Sequence, residues 1–238
     1  GDTIDRFRRP DGTWLPERQQ LHEAIIRRHF ARATPVSNPV ASVLGGGPAA
    51  GKGSAIIRNT RFPANRVTID SDEIKKALPE FRELTALNNA DAAAIVHEES
   101  SYLSKLIAKR AATERYNFVM DGTGNGAFES LTRKVGVYRS GGARVEAHYV
   151  TVDTDVAVER ALGRGARTGR FVPEEYIRDV HETISEIVPR AINAGHFDDF
   201  VLWDNNGAKA FRVATMNDGV LEIGDQIFCI SCYSKSLA

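Results

Sequence analysis

Cysteine, methionine and tryptophan are scarce, two of each in 238 residues. Two thiols cannot staple a chain of this size, so its stability must come from an apolar core, and the chain is long enough to bury one. The pair, Cys229 and Cys232, stands as C-x-x-C with no other cysteine and no nearby histidine to complete a four-ligand zinc site. The strand-to-helix setting of a thioredoxin-like redox motif is also missing, so the two are read as ordinary thiols of a reducing compartment. Charge of one sign is lacking too: 31 basic residues face 31 acidic ones, for a formal net charge of zero. Without a global field, neither a long nucleic acid nor an anionic membrane is an expected partner. There is no run of about 18 apolar residues and no charged-then-apolar leader, so a cytoplasmic protein without a membrane span is expected. No internal repeat or low-complexity tract interrupts the chain.

What the sequence does contain is organised around residues 42–54, SVLGGGPAAGKGS. Read from Gly46, this gives G-x-x-x-x-G-K, a phosphate-binding loop. The apolar run before it has the character of a buried strand, and residues 54–58 are able to continue as a helix. A phosphate needs several backbone N–H groups aimed at one point, which calls for glycines that permit close approach and a helix N-terminus facing the anion. Gly46, Gly47, Ala49, Ala50, Gly51, Lys52, Gly53 and Ser54 are therefore the candidate nucleotide contacts, with Lys52 a point charge for the outer phosphates. Gly53 stands where Ser or Thr usually follows the lysine to help hold Mg²⁺, and Ser54 is the replacement; adenylate-type nucleotide kinases carry a similar Lys-Gly-Thr.

Taken in order, residues 1–16 read as a polar arm pinned by Trp14, and 17–33 as an amphipathic helix, with His22 and His29 as surface or packing residues. Strands are expected at 65–70, 116–120, 145–152 and 200–203, and helices at 91–115, 131–139, 154–162 and 173–194. Residues 163–170, GRGARTGR, read as a flexible loop rich in glycine and arginine. Residues 210–216 and 220–223 around Asn217-Asp218-Gly219 read as a hairpin. Strands alternating with helices imply a mostly parallel sheet covered on both faces.

Three strand ends then converge on one edge, where open α/β sheets bind ligands: Lys52 from the first, Asp70 and Asp72 from the second, Asp121 and Thr123 from the third. Phosphoryl transfer needs phosphates held in line, metal and cationic groups to meet spread negative charge, and a carboxylate for the acceptor hydroxyl. Ser54 and Asp121 are the candidate Mg²⁺ ligands. Arg160, Arg164, Arg167 and Arg170 suit a lid that closes on the transferring group.

At these residues the chain resembles the zeta toxins of bacterial toxin–antitoxin systems, P-loop kinases of UDP-N-acetylglucosamine. The likeness covers about 38–206. It rests on LGGGPAAGK at 44–52, IDSD at 69–72 with LPEF at 78–81, YNFVMDGTG at 116–124, ERALGR at 159–164, and TGR at 168–170 with Pro173. The resemblance implies that Asp72 is the general base for the sugar 3′-hydroxyl. It implies that Lys52, Arg164 and Arg170 stabilise the transferring phosphate, and that Asp121 and Thr123 line the sugar-nucleotide or metal site. Placement matters more than basicity for such a base, because a loose transition state loses the proton late. One departure stands out: Lys105 aligns with a family carboxylate that contacts the sugar, and Glu98, Glu99, Ser100 and Ser101 are the nearby groups that could contribute instead, with Glu98 and Ser101 the candidate substrate contacts.

The expected fold is an α/β, P-loop kinase-like three-layer fold with a mostly parallel central sheet, an N-terminal helical extension and a small C-terminal antiparallel hairpin. The expected division is 1–37 arm and helix, 38–206 kinase-like domain, and 207–238 hairpin addition. The expected activity is transfer of the γ-phosphate of ATP or GTP, with Mg²⁺, to a sugar nucleotide. The protein would be the toxin of a pair, with an antitoxin as possible partner. Two alternatives stay open: a kinase of another hydroxyl (another sugar nucleotide, a nucleoside, an antibiotic) and a non-catalytic nucleotide-binding partner protein.

Overall fold

The computed structural model describes residues 1–168, 171–224 and 226–229. Strands β1 (Val40–Gly45), β2 (Val67–Asp70), β3 (Phe118–Asp121), β4 (Arg144–Thr151) and β5 (Asp199–Asp204) run parallel. Strands β6 (Phe211–Asn217), β7 (Val220–Ile223) and β8 (Gln226–Cys229) continue the same sheet antiparallel. The order is β2-β3-β1-β4-β5-β6-β7-β8. The helices are α1 (Thr3–Phe7), α2 (Pro16–Phe30), α3 (Ser71–Ala77), α4 (Pro79–Ala86), α5 (Ala92–Ile95), α6 (His97–Thr113), α7 (Phe128–Arg139), α8 (Thr154–Thr168) and α9 (Glu174–Asn193), with one π-helical turn at Gly53–Ile57.

Alternation along the buried strands divides the core in two. Ala41, Val43, Ala147 and Tyr149 pack under α2, α6 and α7 with Ile25, Leu103, Ile107 and Val135. Leu44 and Val150 point to the other face, where Ile56 of the π-turn and Ala157, Val158 and Ala161 of α8 cover them. This is the three-layer, P-loop kinase-like architecture with a mostly parallel sheet. Helix ends follow local chemistry: α2 has Pro16 at its start, Glu17 in its first turn and Arg27 and Arg28 in its last, matching the helix dipole.

Several elements differ from the sequence reading. The arm at 1–16 contains α1, capped by the Asp2 side chain, and Trp14 is buried 4.5 Å from the His22 ring and 5.2 Å from Tyr102. A five-residue helix is too short to show periodicity. The helix expected over 91–115 is broken at Val96, which is fully buried, and the Ile95 carbonyl at the break accepts from the Thr3 hydroxyl. Helix α4, begun by Pro79, had no counterpart in the sequence reading. After the glycine-rich loop the chain forms a five-residue π-turn, so a long helix dipole does not face the loop. The glycine- and arginine-rich stretch is helical through Thr168 instead of a loop. There a Cβ on Gly165 would lie 2.5 Å from the Phe171 ring, so this glycine serves close packing and not flexibility. At the other end the hairpin is extended by β8; its turn has Asp218 and Gly219 at φ 48° and 79°, the left-handed pair that a tight hairpin turn needs. Cys229 lies in β8, and Cys232 falls outside the described residues. Among the described residues no helix is long and apolar enough to cross a membrane.

Candidate active site

Because β2, β3 and β1 are neighbours, the strand ends singled out in the sequence meet. Asp121 sits in register with Leu44 on one side and Asp70 on the other. Beside them opens a cavity of about 540 Å³, lined by Gly47, Pro48, Ala49, Gly51, Lys52, Gly53, Asp72, Thr123, Arg160, Arg164 and Arg167. Its size falls within the roughly 300–1,000 Å³ of small-molecule sites.

The phosphate loop is a chain of reversed backbone turns: Gly46, Ala49 and Gly51 have φ of 151°, 60° and 87°. Mixing left- and right-handed residues in this way makes a concave nest of N–H groups suited to an anion. Lys52 closes one side, its Nζ donating to the Gly122 carbonyl at 2.8 Å and lying 3.4 Å from Asp121 Oδ1. The Ser54 hydroxyl donates to the Gly51 carbonyl at 3.0 Å, and Ala50 is fully buried, so Ala50 has only backbone to offer.

Asp70 caps α3 by accepting from the Asp72 N–H at 2.8 Å, and so fixes the direction in which Asp72 leaves the sheet. Burial, then the charges of Asp121, Asp72 and Glu73, holds the Asp70 carboxyl above its ordinary range. Asp72 itself is 78% exposed at the cavity wall, 3.2 Å from Lys75 Nζ. The Thr123 hydroxyl donates to Asn125 Oδ1.

Of the arginines, Arg160, Arg164 and Arg167 line the cavity, and Arg160 donates to the Asn205 carbonyl at 2.8 Å; Arg170 lies outside the described residues. Glu98 and Ser101 are not among the lining residues. Also on α6, the buried Ser104 hydroxyl lies 3.0 Å from that of Ser71, the residue before Asp72, and Lys105 next to it is exposed. Glu99 is turned into the protein against Arg18 and His22. Sequence reasoning did not find Lys75, His181 or Asn205. His181 Nε2 donates to the Pro48 carbonyl at 3.1 Å and Asn205 Nδ2 to the Ala50 carbonyl at 2.8 Å. The only local signal was the turn-forming Asn205-Asn206-Gly207.

Fold and cavity together define a protein of the P-loop kinase-like class. A model of the zeta toxin family matches residues 23–215, and the chain belongs to that family. It is 26% identical over 205 residues to toxin zeta of Streptococcus agalactiae, covering 79% of this chain and 68% of that protein. To toxin zeta of Streptococcus pyogenes it is 25% identical over 192 residues, covering 74% and 64%. The chain thus spans about two thirds of the length of these relatives. Among solved structures, it is similar to one from the PezAT chromosomal toxin–antitoxin system of Streptococcus pneumoniae, with a TM-score of 0.69 at 16% identity over 81% of this chain and 80% of that one. It is also similar to a crystal structure of AvrRxo1-ORF1:-ORF2 with ATP, with a TM-score of 0.65 at 17% identity over 95% and 74%.

Proposed function

We propose that this protein is a kinase that moves the γ-phosphate of ATP or GTP to a hydroxyl of a small molecule, the 3′-hydroxyl of UDP-N-acetylglucosamine being the leading candidate. The observation that carries the reading is the single cavity shared by the phosphate loop, Lys52, Asp72, Thr123 and three arginines. In this reading Asp72 takes the proton as the acceptor oxygen bonds to Pγ and the bond from Pγ to the β–γ bridging oxygen breaks. Lys52, Arg164 and Arg170 meet the charge spread over the transferring group. Asp121 and Thr123 line the acceptor side, with Asp70 holding Asp72 in place. Ser54 and Asp121 offer the hard oxygen donors that suit Mg²⁺, which when bound neutralises phosphate charge. Among the described residues no group of three or more His, Cys, Asp or Glu side chains could hold a metal by itself, consistent with an ion held by one or two protein oxygens and the nucleotide. The relatives' name, toxin zeta, and the toxin–antitoxin system of the similar Streptococcus pneumoniae structure support a toxin with an antitoxin partner, and the cytoplasm is its proposed place of action. In this reading residues 1–37 form an arm and helix, 38–206 the kinase-like domain and 207–238 a hairpin addition.

Incubation with Mg-ATP and UDP-N-acetylglucosamine, followed by mass spectrometry, is expected to yield a product heavier by one phosphate with wild type and none with Lys52→Ala. ATP binding without product would move the proposal to another acceptor, for which Lys105 is the first residue to test.

A further inference from the structure

The phosphate loop is gripped from outside by two side chains far from it in sequence. His181 comes from α9 and Asn205 from the turn that ends β5. A carbonyl can only accept, so Nε2 of His181 carries the proton in its 3.1 Å contact with Pro48, and the Asn205 amide donates to Ala50 at 2.8 Å. Both contacts are close-fitted to glycine. A Cβ on Gly47 would lie 2.4 Å from the His181 ring, and one on Gly51 would lie 2.3 Å from Asn205 Nδ2. Asn205 is buried, 8% exposed, and its own backbone is tied on both sides: its N–H donates to Thr151 at 3.0 Å and its carbonyl accepts from Arg160 of α8.

We propose that His181 and Asn205 are positioning residues that preset the anion-binding shape of the phosphate loop and join it to helices α8 and α9. The reason is peptide geometry. In a planar trans peptide C=O and N–H point in opposite directions, so pinning the carbonyls of Pro48 and Ala50 on the outer side turns the N–H groups of Ala49 and Gly51 to the inner side. Such a shape would otherwise be assembled at the expense of binding energy, since Ala49 at φ 60° has no intrinsic preference for its conformation. The loop's other braces act elsewhere along it: the Gly46 N–H donates to the Thr123 carbonyl at 3.0 Å and the Ala50 N–H to the Gly47 carbonyl at 3.1 Å, while the Pro48 and Ala50 carbonyls are met by His181 and Asn205. Arg160, which lines the cavity, donates to the backbone carbonyl of the same asparagine, so this cation and the loop are placed by one connected set of contacts.

The inference rests on reading 46–54 as a nucleotide phosphate site, and the test separates the two. Calorimetric titration of the full chain with Mg-ATP and with inorganic tripolyphosphate is to be run on wild type, Asn205→Ala, His181→Phe and His181→Gln, each with its thermal midpoint. Losing one loop-shaping hydrogen bond is expected to weaken both ligands about 5–10-fold in Asn205→Ala and in His181→Phe, with each variant still folded at the titration temperature and its midpoint lowered by no more than one buried hydrogen bond accounts for. His181→Gln puts an amide donor near the position of Nε2 and is expected to stay within about twofold of wild type. Three results would overturn the proposal: unchanged affinities, a His181→Gln as weak as His181→Phe, or losses that only follow lost stability. Should wild type bind neither ligand, the phosphate-site reading itself fails and this inference with it.

Discussion

Two of the places where cations gather with carboxylates are built in contrary ways. Against α6, Arg18 is 5% exposed and holds two carboxylates with both forks: Nε and Nη2 reach Glu99 at 2.6 and 2.7 Å, and Nη1 and Nη2 reach Glu80 at 2.8 and 2.9 Å. His22 adds a contact to Glu99 at 2.6 Å, and Glu99 has no exposed surface at all. At the carboxyl edge of the sheet the pairing is looser. Lys52 stands 3.4 Å from Asp121, Asp70 lies beside Asp121 with its carboxyl held above its usual range, and Asp72 is mostly in solvent. The first cluster spends its charge on itself and fastens α2 to α6 and α4. The second leaves charge directed at a cavity. Residue types are nearly the same in both; closure is what distinguishes a fastening from a site.

The sharpest way to test the contrast is to break one member of each cluster. Asp72→Asn is expected to lower turnover about 10²–10⁴-fold, the usual share of a general base, while nucleotide affinity by calorimetry stays nearly unchanged. Because Asp72 is exposed and its Lys75 contact lies at the surface, its unfolding free energy should move by less than about 1 kcal/mol. Equal loss of binding and turnover would instead make Asp72 structural. Glu99→Ala is expected to do the reverse. Leaving Arg18 buried with one partner fewer should cost about 3–5 kcal/mol in denaturant unfolding, with phosphoryl transfer retained in the molecules that remain folded.

Acid should separate the clusters next. Hydrogen bonds from His22 and Arg18 overcome the burial penalty and bring the Glu99 carboxyl from 4.5 down to about 2. A lowered carboxyl stabilises the fold above its unfolded value and loses that contribution as pH falls through the folded one. Stability worth roughly 3 kcal/mol is therefore expected to drain away between about pH 4.5 and 2, and Glu99→Gln should flatten that limb of the curve. Asp70 has the opposite sign. With its carboxyl raised, its contribution declines as pH rises through its unfolded value, so Asp70→Asn should remove a penalty present at neutral pH. The smallest effect is expected from Lys105→Glu, which leaves both clusters intact. It should shift acceptor preference several-fold toward UDP-N-acetylglucosamine in competition assays, with ATP binding unaltered.

Much of this organisation was legible in the residues themselves. An apolar β-branched run followed by an acid or a glycine turn identifies a parallel strand delivering its end to the ligand edge, and β1, β2 and β3 all read that way. Less legible was anything whose reason lies across the molecule. Glu98 and Glu99 are adjacent and chemically alike, and only the docking of α2 decides that Glu99 is consumed by Arg18 and His22 while Glu98 remains exposed. Gly165 looked like flexibility in a loop; the Phe171 ring laid across it shows a helix thinned for packing. Helix α5 separates from α6 at Val96 without proline or glycine, because the core takes that side chain and Thr3 takes the preceding carbonyl.

The sequence by itself determined the parallel α/β arrangement, the glycine-rich turn after β1, and the meeting of the strand ends that carry Lys52, Asp70, Asp72, Asp121 and Thr123, since each depends on side-chain period and on glycines and acids at strand ends. Tertiary structure alone decided how the loop is held. Its outer carbonyls are met by His181 at a separation of 133 residues and by Asn205 at 155, distances over which no local pattern operates. Those partners are brought in by the burial of α9 and β5 in the same core, and only once that core closes do their donors reach the loop.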